Sequence, residues 1–338
     1  MSTRWLLALA MLVLYWGATA PARADTTCTV QPTTLAFGPV TATAVRDATT
    51  TFNVTCNTGG LAVLGSARVR LCIGIGDGSG GVGQYLPRRM SSGSNTLQYQ
   101  IYRDSTRTQV WGATGNATVP NPLVVDLAYS VPLLGGSLTQ QVTLYGRVPS
   151  GQSLTVGSYT SNFSGAATTL QYAYNESIIG DTTVPASCTT AVTGAKTASN
   201  AFPFSVTASV APQCSTYVTS DLDFGTVTAA TIASNLDRTT TIGLTCTNQT
   251  AWNIGLNNGA NANGSVRRMR LGSTTNYISY ELYRDSGRAQ RWGTTIGTDT
   301  QTGTGNGSAQ SVTVYGRVPP QAPAAGSYSD TVTVTITY

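Results

Sequence analysis

The side chains best suited to chemistry here are six cysteines, two Arg-Arg pairs, two aspartates in matching tripeptides and one glycine-rich loop, and histidine is absent. Without histidine there is no Ser-His-Asp triad, and the commonest metal ligand is missing. Cys28, Cys56, Cys72, Cys188, Cys214 and Cys246 could act as thiolate nucleophiles or zinc ligands only if reduced. An even count in an exported chain reads instead as disulfides. Asp104 and Asp285 recur in matching Tyr-Arg-Asp tripeptides, which favours a turn-holding role over acid–base work. Arg88-Arg89 and Arg267-Arg268 are duplicated in the same way and read as structural, with a sulfate or glycan contact as the alternative. The loop Asp77-Gly-Ser-Gly-Gly-Val-Gly lacks the lysine and the strand-to-helix setting of a phosphate cradle, so it reads as a hairpin turn. These residues point away from an enzyme and imply no cofactor and no metal.

The opening residues set the compartment. Arg4, the apolar run from Trp5 to Tyr15 and the small-x-small Ala22-Arg23-Ala24 have the form of a secretory signal over residues 1–24. The mature chain is therefore expected outside the cytoplasm from Asp25 onward. No later stretch approaches the roughly 18 apolar residues of a spanning helix, so no direct membrane insertion is expected. Only 10% of residues are charged, and the arginines are scattered rather than striped. Nucleic acid is not an expected partner.

The elements that position these residues emerge from an internal repeat. Cys28, Leu35-Ala36-Phe37-Gly38 and Cys56 answer to Cys214, Leu222-Asp223-Phe224-Gly225 and Cys246. Arg88-Arg89-Met90 matches Arg267-Arg268-Met269; Leu97 to Gly112 matches Ile278 to Gly293; Val142 to Pro149 matches Val312 to Pro319. Ordered blocks of this kind mark a tandem duplication. Val332, Val334, Ile336 and Tyr338 alternate with threonines, the period-two pattern of a half-buried strand, and Leu97, Tyr99 and Ile101 do likewise. Short strands between Gly, Asn, Ser and Pro clusters predict an all-β chain of two tandem β-sandwiches. The duplication assigns Cys28–Cys56 and Cys214–Cys246, and Cys72–Cys188 follows by elimination.

Taken as an ordered set, the early Cys, the Phe-Gly turn, the second Cys, Tyr-Arg-Asp, Tyr-Gly-Arg-Val and the terminal strand ending in Tyr338 resemble spore coat protein U domains. That family includes the subunits of archaic (Csu-type) chaperone–usher pili, and a two-domain chain of this length is similar to their tip adhesins. The resemblance implies immunoglobulin-like sandwiches of pilin type that lack a final strand. Their grooves are filled first by a periplasmic chaperone and then, at the outer-membrane usher, by a strand from the next pilus subunit.

Carried onto this chain, the resemblance makes residues 25–213 an adhesin domain and 214–338 a pilin domain lacking its final strand. Val332, Val334, Ile336 and Tyr338 become the chaperone-pairing strand. Phe202, Phe204, Val206, Ala208 and Val210 alternate with polar residues and become a donor strand, about 201–211, inserted into the first domain of the same chain. An interdomain linker or an extra edge strand is the alternative. Only Asp25 to Thr27 would precede Cys28 after cleavage, too few for a strand donated forward, which implies the pilus tip. Csu-type tip adhesins are similar in presenting hydrophobic finger loops to abiotic surfaces. Three apolar stretches of the first domain fit that character: Leu61, Val63 and Leu64; Leu123, Val124, Leu127, Tyr129, Val131, Leu133 and Leu134; and Ile178 with Ile179. Pro120, Pro122 and Pro132 argue for loops in the middle stretch, against an additional core strand over Val124 to Val131. The expected function is attachment to abiotic or host surfaces and biofilm formation at the cell surface, after export through the periplasm. The alternatives are a glycan-binding (lectin-type) adhesin and a structural coat or adaptor subunit without external ligand.

Overall fold

Alternating Thr, Val, Ile and Tyr residues favour pleated, half-buried backbone, and strands dominate the protein. The structure, a computed structural model, describes residues 25–60 and 64–338. The proposed signal over 1–24 lies outside the described residues, as do Leu61 and Val63 of the first apolar stretch.

Among the described residues the first half contributes twelve strands: β1 (Thr26–Val30), β2 (Thr33–Pro39), β3 (Arg46–Thr58), β4 (Gly65–Ile75), β5 (Arg88–Ser92), β6 (Asn95–Tyr102), β7 (Leu123–Val131), β8 (Gly136–Val148), β9 (Gly157–Phe163), β10 (Thr168–Ser177), β11 (Gly194–Ser199) and β12 (Phe204–Val210). They form an eight-stranded sheet ordered β1-β3-β8-β6-β5-β9-β12-β2 and a four-stranded sheet ordered β11-β10-β4-β7. The second half contributes β13 (Cys214–Thr219), β14 (Leu236–Cys246), β15 (Ala251–Leu256), β16 (Arg267–Leu271), β17 (Tyr277–Tyr283), β18 (Gln301–Thr304), β19 (Ala309–Val318), β20 (Tyr328–Ser329) and β21 (Val334–Thr337). Here the sheets are β13-β14-β19-β17-β16-β20 and β18-β15-β21. Deleting β2, β11 and β12 from the first half leaves the strand order of the second. The duplication read from the sequence is thus a duplication of topology, and the two halves differ by three strands.

By contact density, one unit comprises the chain up to Gly38, Val45–Pro149 and Tyr159–Ala208, and the other Pro39–Ala44, Ser150–Ser158 and Ser209–Tyr338. Cys28 faces Cys56 across β1 and β3, and Cys214 faces Cys246 across β13 and β14; both pairs are disulfide-bonded. On β4, Val69, Leu71 and Ile73 are fully buried, while Cys72 points the other way and bonds Cys188.

The stretch from Leu123 to Val131 is a strand, not a loop. It pairs antiparallel with β4, placing Leu127 opposite Val69 and Val125 opposite Leu71. Its burial alternates strictly, so Leu123, Leu127, Tyr129 and Val131 face the core and only Val124 of the proposed surface residues points outward. The prolines misled because they lie at 120, 122 and 132, just outside the strand, where no ladder hydrogen bond is forfeited.

Candidate strand-accepting groove

The residues that would hold a missing strand can be compared across the repeat, because the first half has that strand and the second, among the described residues, does not. In the first half β12 lies between β9 and β2. Phe202, Phe204, Val206, Ala208 and Val210 are all buried. Phe202 stacks on Trp111 at 6.4 Å between centroids with planes 3° apart. Phe204 meets Trp111 edge-on at 5.8 Å and Phe163 at 5.3 Å. The outward face of the strand is polar, with Ser205 Oγ 2.7 Å from Thr34 Oγ1 on β2. Thr34 neighbours Ser205, and the Val40 amide donates to the Ser209 carbonyl, so β2 and β12 run in the same direction.

The inserted segment is longer than its apolar alternation. β11 pairs antiparallel with β10 from Thr169↔Ser199 to Tyr174↔Gly194. Between β11 and β12, Asn200 spans the break: its amide donates to the Gly165 carbonyl, and its side-chain oxygen accepts from the Gly165 amide. Residues 194–210 therefore run along β10 and then β9, one half on each sheet. The Gly-Ala-Lys-Thr-Ala-Ser of β11 is mostly exposed, and that is why no alternation marked it.

In the second half the same place is open. β20 pairs with β16 alone and β21 with β15 alone among the described residues. Leu222 and Phe224, the counterparts of Leu35 and Phe37 on β2, sit in a stretch with no strand pairing. A β2-like strand has nothing to pair with when its β12 neighbour is missing. A cavity of about 460 Å³ occupies the gap, lined by Leu222, Phe224, Ile242, Tyr328, Val332 and Val334 among others. Leu35, Phe37, Tyr159 and Phe163 are at most 1% exposed in the first half, whereas Leu222, Tyr328 and Val332 are only half-buried. The second half thus presents a row of apolar side chains beside two unpaired backbone edges, the arrangement that strand addition uses.

Of the residues expected to pair with a chaperone, Val332, Val334 and Ile336 are half-buried against the second core, and Tyr338 is exposed. Val334 and Ile336 sit on β21; Val332 precedes it and Tyr338 follows it. Three aspartates also line the cavity: Asp221, Asp223 and Asp330. Asp330 accepts from the Tyr280 hydroxyl at 2.7 Å and from the Asn261 amide and side chain at 3.0 Å. Burial and this carboxylate push the Tyr280 hydroxyl well above its ordinary pKa. Asp223 accepts from the Gly225 amide at 2.7 Å, fixing a turn whose φ of +79° suits glycine.

Five exposed apolar residues of the first half gather at one end. Leu64 bridges Ile179, and the Gly180 amide donates to the Leu64 carbonyl. Gly60 comes so close to Leu133 that a Cβ there would lie 1.8 Å from the Leu133 carbonyl oxygen. Gly65 faces Val131, the last residue of β7. Leu64, Leu133, Leu134, Ile178 and Ile179 are thereby brought together, each more than 60% exposed.

No helix of the described residues is long and apolar enough to cross a membrane. No cluster of metal-ligating side chains occurs among them.

Residues 17–165 and 200–335 match the Spore Coat Protein U domain. Protein U of Myxococcus xanthus is 44% identical over 81 residues, 24% of this chain and 45% of that protein, so the match reaches less than half of the relative's length. Among solved structures, the CsuC–CsuE chaperone–tip adhesion subunit pre-assembly complex of Acinetobacter baumannii Csu pili aligns over 92% of this chain and 100% of that one, at 17% identity and a TM-score of 0.45. The CupB6 tip adhesin of Pseudomonas aeruginosa aligns over 93% and 95%, at 12% identity and a TM-score of 0.33. At these scores the two alignments carry no functional weight.

Proposed function

The chain belongs to the Spore Coat Protein U domain family, and on that premise we propose that it is a pilus tip adhesin rather than an enzyme. Domain one, residues 25–213, contacts the surface, and domain two, residues 214–338, anchors it to the next pilus subunit. The observation that supports this most is the asymmetry of the repeat: residues 194–210 of the same chain fill the groove of domain one, and the equivalent groove of domain two is open. A domain completed in cis needs no neighbour, whereas one with an open groove needs a strand from elsewhere. A periplasmic chaperone would cover that groove first, along Val332 to Tyr338, and a subunit strand would replace it at the outer-membrane usher.

Attachment and biofilm formation would rest on the apolar end of domain one. Leu64, Leu133, Leu134, Ile178 and Ile179 each remove water from a low-polarity surface at about 25 cal/mol per Å² buried. Many such contacts along a bundle of pili then add through avidity. The test is adsorption of the mature chain to polystyrene and to clean glass, beside a variant with these five residues changed to Ser. A folded parent that prefers polystyrene and a folded variant that has lost the preference are the expected results. Equal adsorption of parent and variant to both surfaces would refute the apolar-contact mechanism.

A further inference from the structure

The two grooves differ in charge as well as in occupancy. In domain one the strand beside the inserted segment offers Thr34 and Ala36 on its outward face, and β9 places Ser161 on its buried face. In domain two those positions are Asp221, Asp223 and Asp330, and no Lys or Arg lines the cavity. Asp330 is already served by Tyr280 and Asn261. Asp221 and Asp223 are exposed on the rim. The Thr34–Ser205 contact shows which residue of an inserted strand would stand beside Asp221. Ser205, Thr207 and Ser209 form the outward face of β12 and are all neutral.

We infer that domain two selects an incoming strand from another polypeptide whose outward side chains are cationic opposite Asp221 and Asp223. This rests on the strand-accepting reading and adds to it the chemistry of the partner. Opposite charges directly across a strand pair stabilise it, and two aspartates facing neutral hydroxyls gain nothing comparable. The occupant is also bipartite. To cover both open edges it must follow β21 and then β20, as residues 194–210 follow β10 and β9. Its first part is polar and its second alternates apolar residues inward with Lys or Arg outward. The same charges favour such a strand over the chain's own 194–210 segment, whose outward face is neutral.

The experiment uses the mature chain and two labelled peptides: residues 194–210 of this sequence, and the same peptide with Ser205→Lys and Thr207→Lys. Binding is read by fluorescence anisotropy at low and high salt. The lysine peptide is expected to bind roughly 3- to 30-fold more tightly at low salt, with the advantage shrinking as salt screens it. In the Asp221→Thr, Asp223→Ala chain, which restores the residues of domain one, the two peptides are expected to bind alike. Equal binding of both peptides to the parent chain would overturn the charge selection while leaving the groove reading intact. Failure of both peptides to bind at any salt would overturn the groove reading and the inference with it.

Discussion

The duplicated residues with chemical potential are spent on holding turns and strand ends together. Asp104 accepts from the Thr108 and Gln109 amides, and Asp285 from the Ala289 and Gln290 amides, each closing the turn after a strand. Arg88 and Arg267 are fully buried and donate to the main-chain carbonyls of Trp111 and Trp292, both at 2.7 Å. Desolvation lowers the Arg88 pKa to about 10. A second repeated device sits at Asp47 and Asp237. Asp237 accepts from Arg317 Nε and Nη2 at 2.8 and 2.9 Å and lies 3.2 Å from Arg288. The Arg317 hydrogen bonds hold its carboxyl below the usual range. A carboxyl depressed in the folded state contributes stability that is present above its unfolded pKa of about 3.9 and is lost as pH falls through the folded value. Asp237→Asn is therefore expected to lower the denaturation midpoint at neutral pH, with the gap to the parent closing as pH falls below about 5. Midpoints measured across that range check it, and a pH-independent gap would contradict the account. The repetition of Asp104 with Asp285 and of Arg88-Arg89 with Arg267-Arg268 is enough to read those residues as structural, whereas nothing in the sequence singled out Asp47 and Asp237. Which arginine of each pair is the buried one was not legible, since only packing separates Arg88 from the half-buried Arg89.

Among the elements, β12 is where sequence pattern and packing agree most closely. Its four alternating apolar residues and Phe202 just before them are all buried, and Phe204 touches two other aromatic rings. Phe204→Ala should cost domain one about 3–5 kcal/mol. Equilibrium unfolding followed by probes specific to each domain should place that loss in domain one alone. A loss below about 1 kcal/mol would mean that β12 is an accessory edge and not part of the core. Two other elements escaped the sequence for opposite reasons. β7 has the right alternation, but its flanking prolines were weighed as if they lay inside the strand. β11 carries almost no apolar residue, because its side chains face solvent while its backbone pairs with β10. Backbone pairing leaves no mark on side-chain periodicity. The exposed ends of the three apolar stretches survive as candidates at Leu64, Leu133, Leu134, Ile178 and Ile179, with Val124 outward on β7.

For the molecule as a whole, the informative feature is a difference between two copies of one fold. Domain one has β2 and residues 194–210 in place, and domain two shows the same sheets without them among the described residues. Comparing the halves of the sequence located the apolar insertions and the alternating segment before Cys214. It could not reveal that the stretch around Leu222 and Phe224 loses its strand form once the neighbour is missing, because Leu35 and Phe37 stand in the same local pattern. That consequence belongs to pairing partners far apart in the chain. The most direct test is amide hydrogen exchange on the mature chain, comparing residues 157–177 with 328–337. Residues 328–337 are expected to exchange at least about tenfold faster in the free chain, and the lysine-bearing 194–210 peptide to slow them without affecting 157–177. Equal protection of the two regions in the free chain, unchanged by the peptide, would contradict the claim that domain two awaits a strand.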